Sequence, residues 1–399
     1  MVKVVSKILI TTTLIFTFFA NNLFSENVSE DYVKFVTGSV SDKTAVLLHL
    51  SITEETDSLV VTLPEKALDF VAENVPVIGN VEGMKELTAA AIPLVKLDEQ
   101  DDFDLLWNMF KLFPDDIIRT AILSSFSEVV QNNRQFVYCY LPDIHTFIAE
   151  NIASASYSSP ACLQAVNLLG KIADLTSFEL LFRIVYQNHD VHLTETAVKA
   201  LEGILPISQA YLSKFITKES VSIAEKNLLF SLIQENKNIP SFFKADIAEN
   251  ALSTTIITVE DVSKISSSAI ELQLATIKEI KDLSWTRASS TVAKFFPLAQ
   301  KEFEVGLITE SDFLEIISCL QTLATTHSVA VLLDYLGTLN SLMAVSSETF
   351  NESVILTVIN ALGALGDKSS FDNLLYVTYL PYPETVVTAA RNALAGLKW

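Results

Sequence analysis

Four side chains able to bind a metal ion crowd the segment NHDVHLTE (188–195): His189, Asp190, His192 and Glu195. Imidazole and carboxylate are the zinc-ligand types, so metal chemistry is the first possibility to weigh. A second copy of this part of the chain, 193 residues on, carries Tyr382, Pro383, Thr385 and Thr388 at the same four positions. The fold therefore does not need these ligands, and the cluster is either drift in an exposed loop or a local acquisition. LDEQDDFDLL (97–106) gathers five acids without the D-x-[DN]-x-[DN]-G order of a calcium loop. It reads as the solvated first turn of a helix, where carboxylates face the positive end of the dipole. Cys139 and His145 suggest a thiol nucleophile with its base, but Pro142 separates them and FVYCYL is a core-like run. With Cys162 and Cys319, Cys139 is expected to be a small buried hydrophobe, since the three are odd in number, far apart and set in apolar stretches.

ALGALGDKSSFDNLL (361–375) sets two glycines before a Lys and a Ser, which raises phosphate binding. A Walker A loop needs Gly directly before the Lys, so that backbone N–H groups wrap the phosphate. Here Asp367 stands before Lys368, and its carboxylate would repel the ligand. A turn between helices fits better: Gly366 suits the left-handed position that ends a helix, and Asp367 or Ser369 can cap the next one.

The elements that must hold these residues are helices. Half of the 399 residues are apolar, and Leu, Ile, Val, Ala and Phe recur three and four apart. Residues 163–204 align without a gap on 356–397, with thirteen of 42 positions identical. The identities include Leu169/Leu362, Gly170/Gly363, Asp174/Asp367, Ala200/Ala393, Leu201/Leu394 and Gly203/Gly396. Leu169 to Leu201 and Leu362 to Leu394 are each 32 apart, while Leu320 to Leu362 is 42. Spacings of about 40 residues mark arrays of helix pairs, each too small to bury its apolar face alone. The periodicity predicts second helices near 43–50, 81–94, 115–131, 161–173, 193–204, 219–235, 267–282, 309–325, 348–366 and 383–398.

VVTAARNALAGL, GALGDKSSFDNLL and DDIIRTAILSSF resemble the HEAT-like repeat family, most closely over 100–126, 161–204 and 312–399. The resemblance implies an all-α fold, a right-handed α-solenoid of about nine HEAT-like helix pairs. It would occupy 81–399, with 26–80 as a divergent N-terminal helical cap. Arg119 stands where the family often carries an Arg, but Glu195 and Val387 hold that place in other copies, so the family's Asp–Arg ladder is expected to be incomplete. Enzymes of this resemblance are not supported. His49, His145, His189, His192 and His327 lack the following Glu of the iron hydroxylases, and five Arg do not make the basic groove of the DNA glycosylases. No cofactor is implied.

The N-terminus has another pattern. Lys3 and Lys7 precede an apolar run from Ile8 to Ala20 and then a polar stretch. That is the order of a secretory signal, with an apolar segment of about 7–15 residues, shorter than the roughly 20 of a membrane span. Residues 1–25 are expected to be a cleaved signal peptide, placing the protein in the periplasm or outside the cell; the alternative is a retained N-terminal membrane anchor. A formal net charge of −21 disfavours nucleic acid and anionic lipid and suits a cationic protein partner. The expected function is a non-enzymatic binding scaffold of the bacterial cell envelope, with an exported enzyme or metal-dependent binder using 188–195 as the alternative.

The partner surface follows from helical geometry. Asn167, Lys199, Ser318, Asn360 and Asn392 each stand two residues before an anchor leucine. A residue two before a core position is turned about 200° around the helix axis and faces outward. In HEAT-like arrays the second helices line the concave side, so these five are the predicted binding stripe.

Overall fold

A computed structural model describes residues 30–50, 58–78, 82–257, 259–345 and 350–398. The expected signal peptide, 1–25, lies outside the described residues. Among these residues the structure is helical, with a single isolated β-bridge between Asp367 and Lys398. Where one uninterrupted array is expected, the chain divides into two compact units between Ile204 and Leu205. At the boundary lies the turn Leu205–Ile207, whose Pro206 has no N–H with which to continue the helix before it.

The first unit contains α1 (Glu30–Thr37), α2 (Val40–His49), α3 (Leu63–Ile78), α4 (Glu82–Ala91), α5 (Gln100–Leu112), α6 (Asp116–Val129), α7 (Leu141–Ala153), α8 (Pro160–Ile172), α9 (Phe178–Gln187) and α10 (Val191–Ile204). Each odd helix packs on the even helix that follows, and the even helices α2, α4, α6, α8 and α10 pack in succession. In the segment expected to form the cap, α1, α2 and α3 are described, with a further turn of helix at Ser58–Val61.

The second unit contains α11 (Gln209–Thr217), α12 (Ile223–Glu235), α13 (Ser241–Ser253), α14 (Ser267–Asp282), α15 (Ser289–Glu304), α16 (Glu310–Leu323), α17 (Thr326–Val345), α18 (Glu352–Leu365), α19 (Phe371–Val377) and α20 (Glu384–Ala395). Its even helices α12 to α20 also pack in succession, and so do its odd helices α11 to α19. In the second unit α13 packs on α14, α15 on α16, α17 on α18 and α19 on α20, while α12 packs on α13.

The internal repeat has a direct physical basis. A Cβ added to Gly170 would lie 2.6 Å from the Ala200 Cα and 2.8 Å from its Cβ. One added to Gly363 would lie 2.8 Å from the Ala393 Cβ and 3.0 Å from its Cα. The repeated Gly–Ala identities are therefore the points where α8 meets α10 and α18 meets α20, backbone against backbone. Leu169, Leu201, Leu320 and Leu362 are fully buried, as expected for anchors of one register. Leu394 is only half-buried, because α20 has an even neighbour on one side alone among the described residues.

The opening glycine segment is a helix-ending turn. Gly366 has φ +67° and its N–H donates to the Leu362 carbonyl at 3.0 Å. The Asp367 carboxylate then accepts from the Ser369 N–H at 2.8 Å. In the other copy Ala173 takes the same left-handed place with φ 51°, and Asp174 accepts from Thr176 N–H at 2.9 Å. A side chain there costs about 1 kcal/mol relative to glycine. Ala173→Gly should therefore stabilise the first unit by about 0.5–1 kcal/mol in denaturant unfolding; a loss of stability would show that the turn tolerates the methyl group without strain.

One cysteine departs from expectation. Cys162 and Cys319 are buried, and burial raises their thiols to about 11 and about 12. Cys139 is exposed. FVYCYL is no continuous core strip but a one-turn helix, Arg134–Tyr138, followed by a turn into α7, so Val137 and Tyr140 point inward while Tyr138 and Cys139 point out.

Candidate functional site

The predicted stripe lies on the even helices as drawn from helical geometry. In the first unit Asn167 on α8 and Lys199 on α10 are exposed. In the second unit Asn360 on α18 and Asn392 on α20 are exposed, and Ser318 on α16 is half-buried.

Beside the stripe runs a set of polar bonds between successive even helices, which sequence reasoning missed. In the first unit Ser159 Oγ donates to Asp116 at 2.8 Å, Gln164 Nε2 donates to Ser127 Oγ at 3.2 Å, and Lys171 Nζ donates to the Ser127 carbonyl at 3.1 Å. Gln164, Asn167 and Lys171 stand at i, i+3 and i+7, on one face of α8. In the second unit Asn227 donates to Glu271 and Gln234 to Glu279, each at 2.9 Å, and Lys281 pairs with Glu315 at 2.9 Å. Asn351 donates to Glu310 at 2.7 Å, and Thr385 donates to Glu352. Ser318 stands one turn beyond Glu315, and Asn392 two turns beyond Thr385. This mixed ladder occupies the role in which the family resemblance implies Asp and Arg. The signal was present as polar residues separated by roughly one repeat length, but no single residue type marks it.

Arg119 belongs to a different arrangement. Its guanidinium carbon lies 4.9 Å from the centre of the Phe110 ring and 5.2 Å from that of Phe147, and its Nε donates to the Phe110 carbonyl at 3.3 Å. Trp107 stacks on Phe110 at 4.3 Å, and Phe110 meets Phe147 edge to face at 5.2 Å. The Asp143 carboxylate accepts from Trp107 Nε1 at 3.0 Å and pairs with Lys111 at 3.2 Å. Trp107's N–H first, then Lys111, hold Asp143 below the usual carboxylate value. These residues line a cleft of about 360 Å³ formed by α5, α6 and α7.

The metal-ligand types of 188–195 are not brought together. Asp190 caps α10, accepting from the Leu193 N–H at 2.9 Å and from Ser158 Oγ at 3.2 Å. His189 stacks on Tyr157 with ring centres 5.4 Å apart, and His192 and Glu195 are exposed. Among the described residues no three His, Cys, Asp or Glu side chains are gathered as ligands of one ion. His145 is not paired with Cys139 either; its Nε2 lies 2.9 Å from Ser177 Oγ, and burial lowers its pKa. The acidic stretch 97–106 behaves as a helix start: Asp102 accepts from the Glu99 N–H at 2.9 Å and from the Asp98 N–H at 3.1 Å.

No family model matches the chain. No curated protein matches it. Among solved structures, a chain of the SYS-1/POP-1 complex is similar, with 10% identity, 92% of this chain and 69% of that chain covered, and a TM-score of 0.27. A likeness of that size carries no argument for fold or function.

Proposed function

We propose that the protein is a non-enzymatic scaffold of the bacterial cell envelope, a HEAT-like α-solenoid in form, whose even helices present a polar face to a cationic protein partner. The observation that carries this reading is the exposure of Asn167 and Lys199 on α8 and α10 and of Asn360 and Asn392 on α18 and α20. The strong negative charge supplies long-range attraction for a basic surface. The signal-like N-terminus supports export.

The test is capture from an envelope fraction with the mature chain, whose intact mass should begin near residue 26. Asn360→Arg with Asn392→Arg places two cations on the exposed face and should weaken capture of a basic partner by about tenfold, while thermal unfolding stays unchanged. Capture should also weaken as salt rises. Partner retention indifferent to both the double variant and salt would remove this face from consideration.

A further inference from the structure

We propose that the cleft between α5, α6 and α7 is a binding site for a single carboxylate on a ligand the size of one or two amino-acid residues. Arg119 is the reason. Arg119 is half-buried, its guanidinium lies against the touching Phe110 and Phe147 rings, and only Nε is engaged, on the Phe110 carbonyl. Among the described residues its two terminal nitrogens enter no hydrogen bond or ion pair, leaving the planar fork that matches a carboxylate edge.

The neighbouring charges do not satisfy it. Asp143 is already occupied by Trp107 Nε1 and by Lys111. Glu150, also at the cleft, is exposed to solvent and makes no ion pair with Arg119. The aromatic floor keeps the guanidinium from full hydration, so a ligand carboxylate gains more there than in open water. The volume of about 360 Å³ suits a small group rather than a folded surface. The acidic chain repels polyanions, which selects a single negative charge on an otherwise neutral body. This site is separate from the even-helix stripe and takes a group of opposite charge, so it stands or falls independently of the scaffold reading.

Titration calorimetry at low salt with N-acetylphenylalanine, and with a short neutral peptide ending in phenylalanine, tests it, each probe compared with its C-terminal amide. At least one acid should bind about tenfold more tightly than its amide. Binding of the free acid alone assigns the cleft to a small metabolite, and binding of the peptide alone assigns it to a protein terminus; both uphold carboxylate recognition. Arg119→Lys, which keeps charge but loses the fork, should weaken the acid about tenfold. Equal binding of acid and amide, no binding of either acid at millimolar concentration, or an Arg119→Lys variant with wild-type affinity would overturn the assignment. Should Arg119→Lys fail to fold, the acid-to-amide comparison on the unaltered protein still decides it.

Discussion

Leu362→Asp is expected to cost about 4–6 kcal/mol, enough to unfold the second unit, while Leu394→Asp should cost about 1 kcal/mol. The two leucines, 32 residues apart, are both expected to be anchors of one register. Leu362 is fully buried, in a helix flanked by α16 and α20. An aspartate there loses the leucine's packing and must either bury a charge or take up a proton. Leu394 is half-buried, and an aspartate there keeps much of its hydration. Urea unfolding of both variants gives the comparison. Equal losses would mean that α20 has a further packing partner or that the register is wrong.

Glu302→Gln is expected to stabilise the second unit by about 3 kcal/mol at pH 8 and by less than about 1 kcal/mol at pH 5. Glu302 on α15 is fully buried, and neither of its oxygens makes a hydrogen bond; the same is true of the Gln273 amide near it. Burial raises the Glu302 carboxyl from 4.5 to about 7, and no charged group contributes. The folded state therefore holds a proton that the unfolded chain has released between these two pH values. Stability falls as pH rises from about 4.5 to about 7 and is level above, because the unfolded state binds fewer protons throughout that window. Glutamine keeps the shape, carries no proton to lose, and can pair its amide with that of Gln273. Urea midpoints for both proteins at the two pH values test this. A gain of the same size at both, or none at pH 8, would show that burial does not raise the Glu302 carboxyl.

Glu302 also marks the limit of what is legible. In KEFEVG it is one charged residue among several, and nothing in its spacing separates it from Lys301 and Glu304. Yet Glu302 is sealed while its two neighbours keep contact with water. Arg119 is a parallel case. Its type and position in the repeat pointed to a ladder, and only the fold set Phe110 and Phe147 around it. The cluster at 188–195 shows the converse, since residues adjacent in sequence turned their polar atoms to a cap and a ring contact rather than to one another.

By itself the sequence determined the even helices and their order, the helix-ending turn at Gly366, the burial of Leu169, Leu201, Leu320 and Leu362 and the outward position of Asn167, Lys199, Asn360 and Asn392. These depend on short-range rules, namely the 3.6-residue period, capping and the left-handed glycine, all of which act within a few residues and repeat down the chain. Only the tertiary structure decided the division after Ile204, the exposure of Cys139, the ladder between even helices, the clamp on Arg119 and the sealing of Glu302. The ladder joins groups more than thirty residues apart, and burial is set by what packs from outside the helix rather than by the pattern along it.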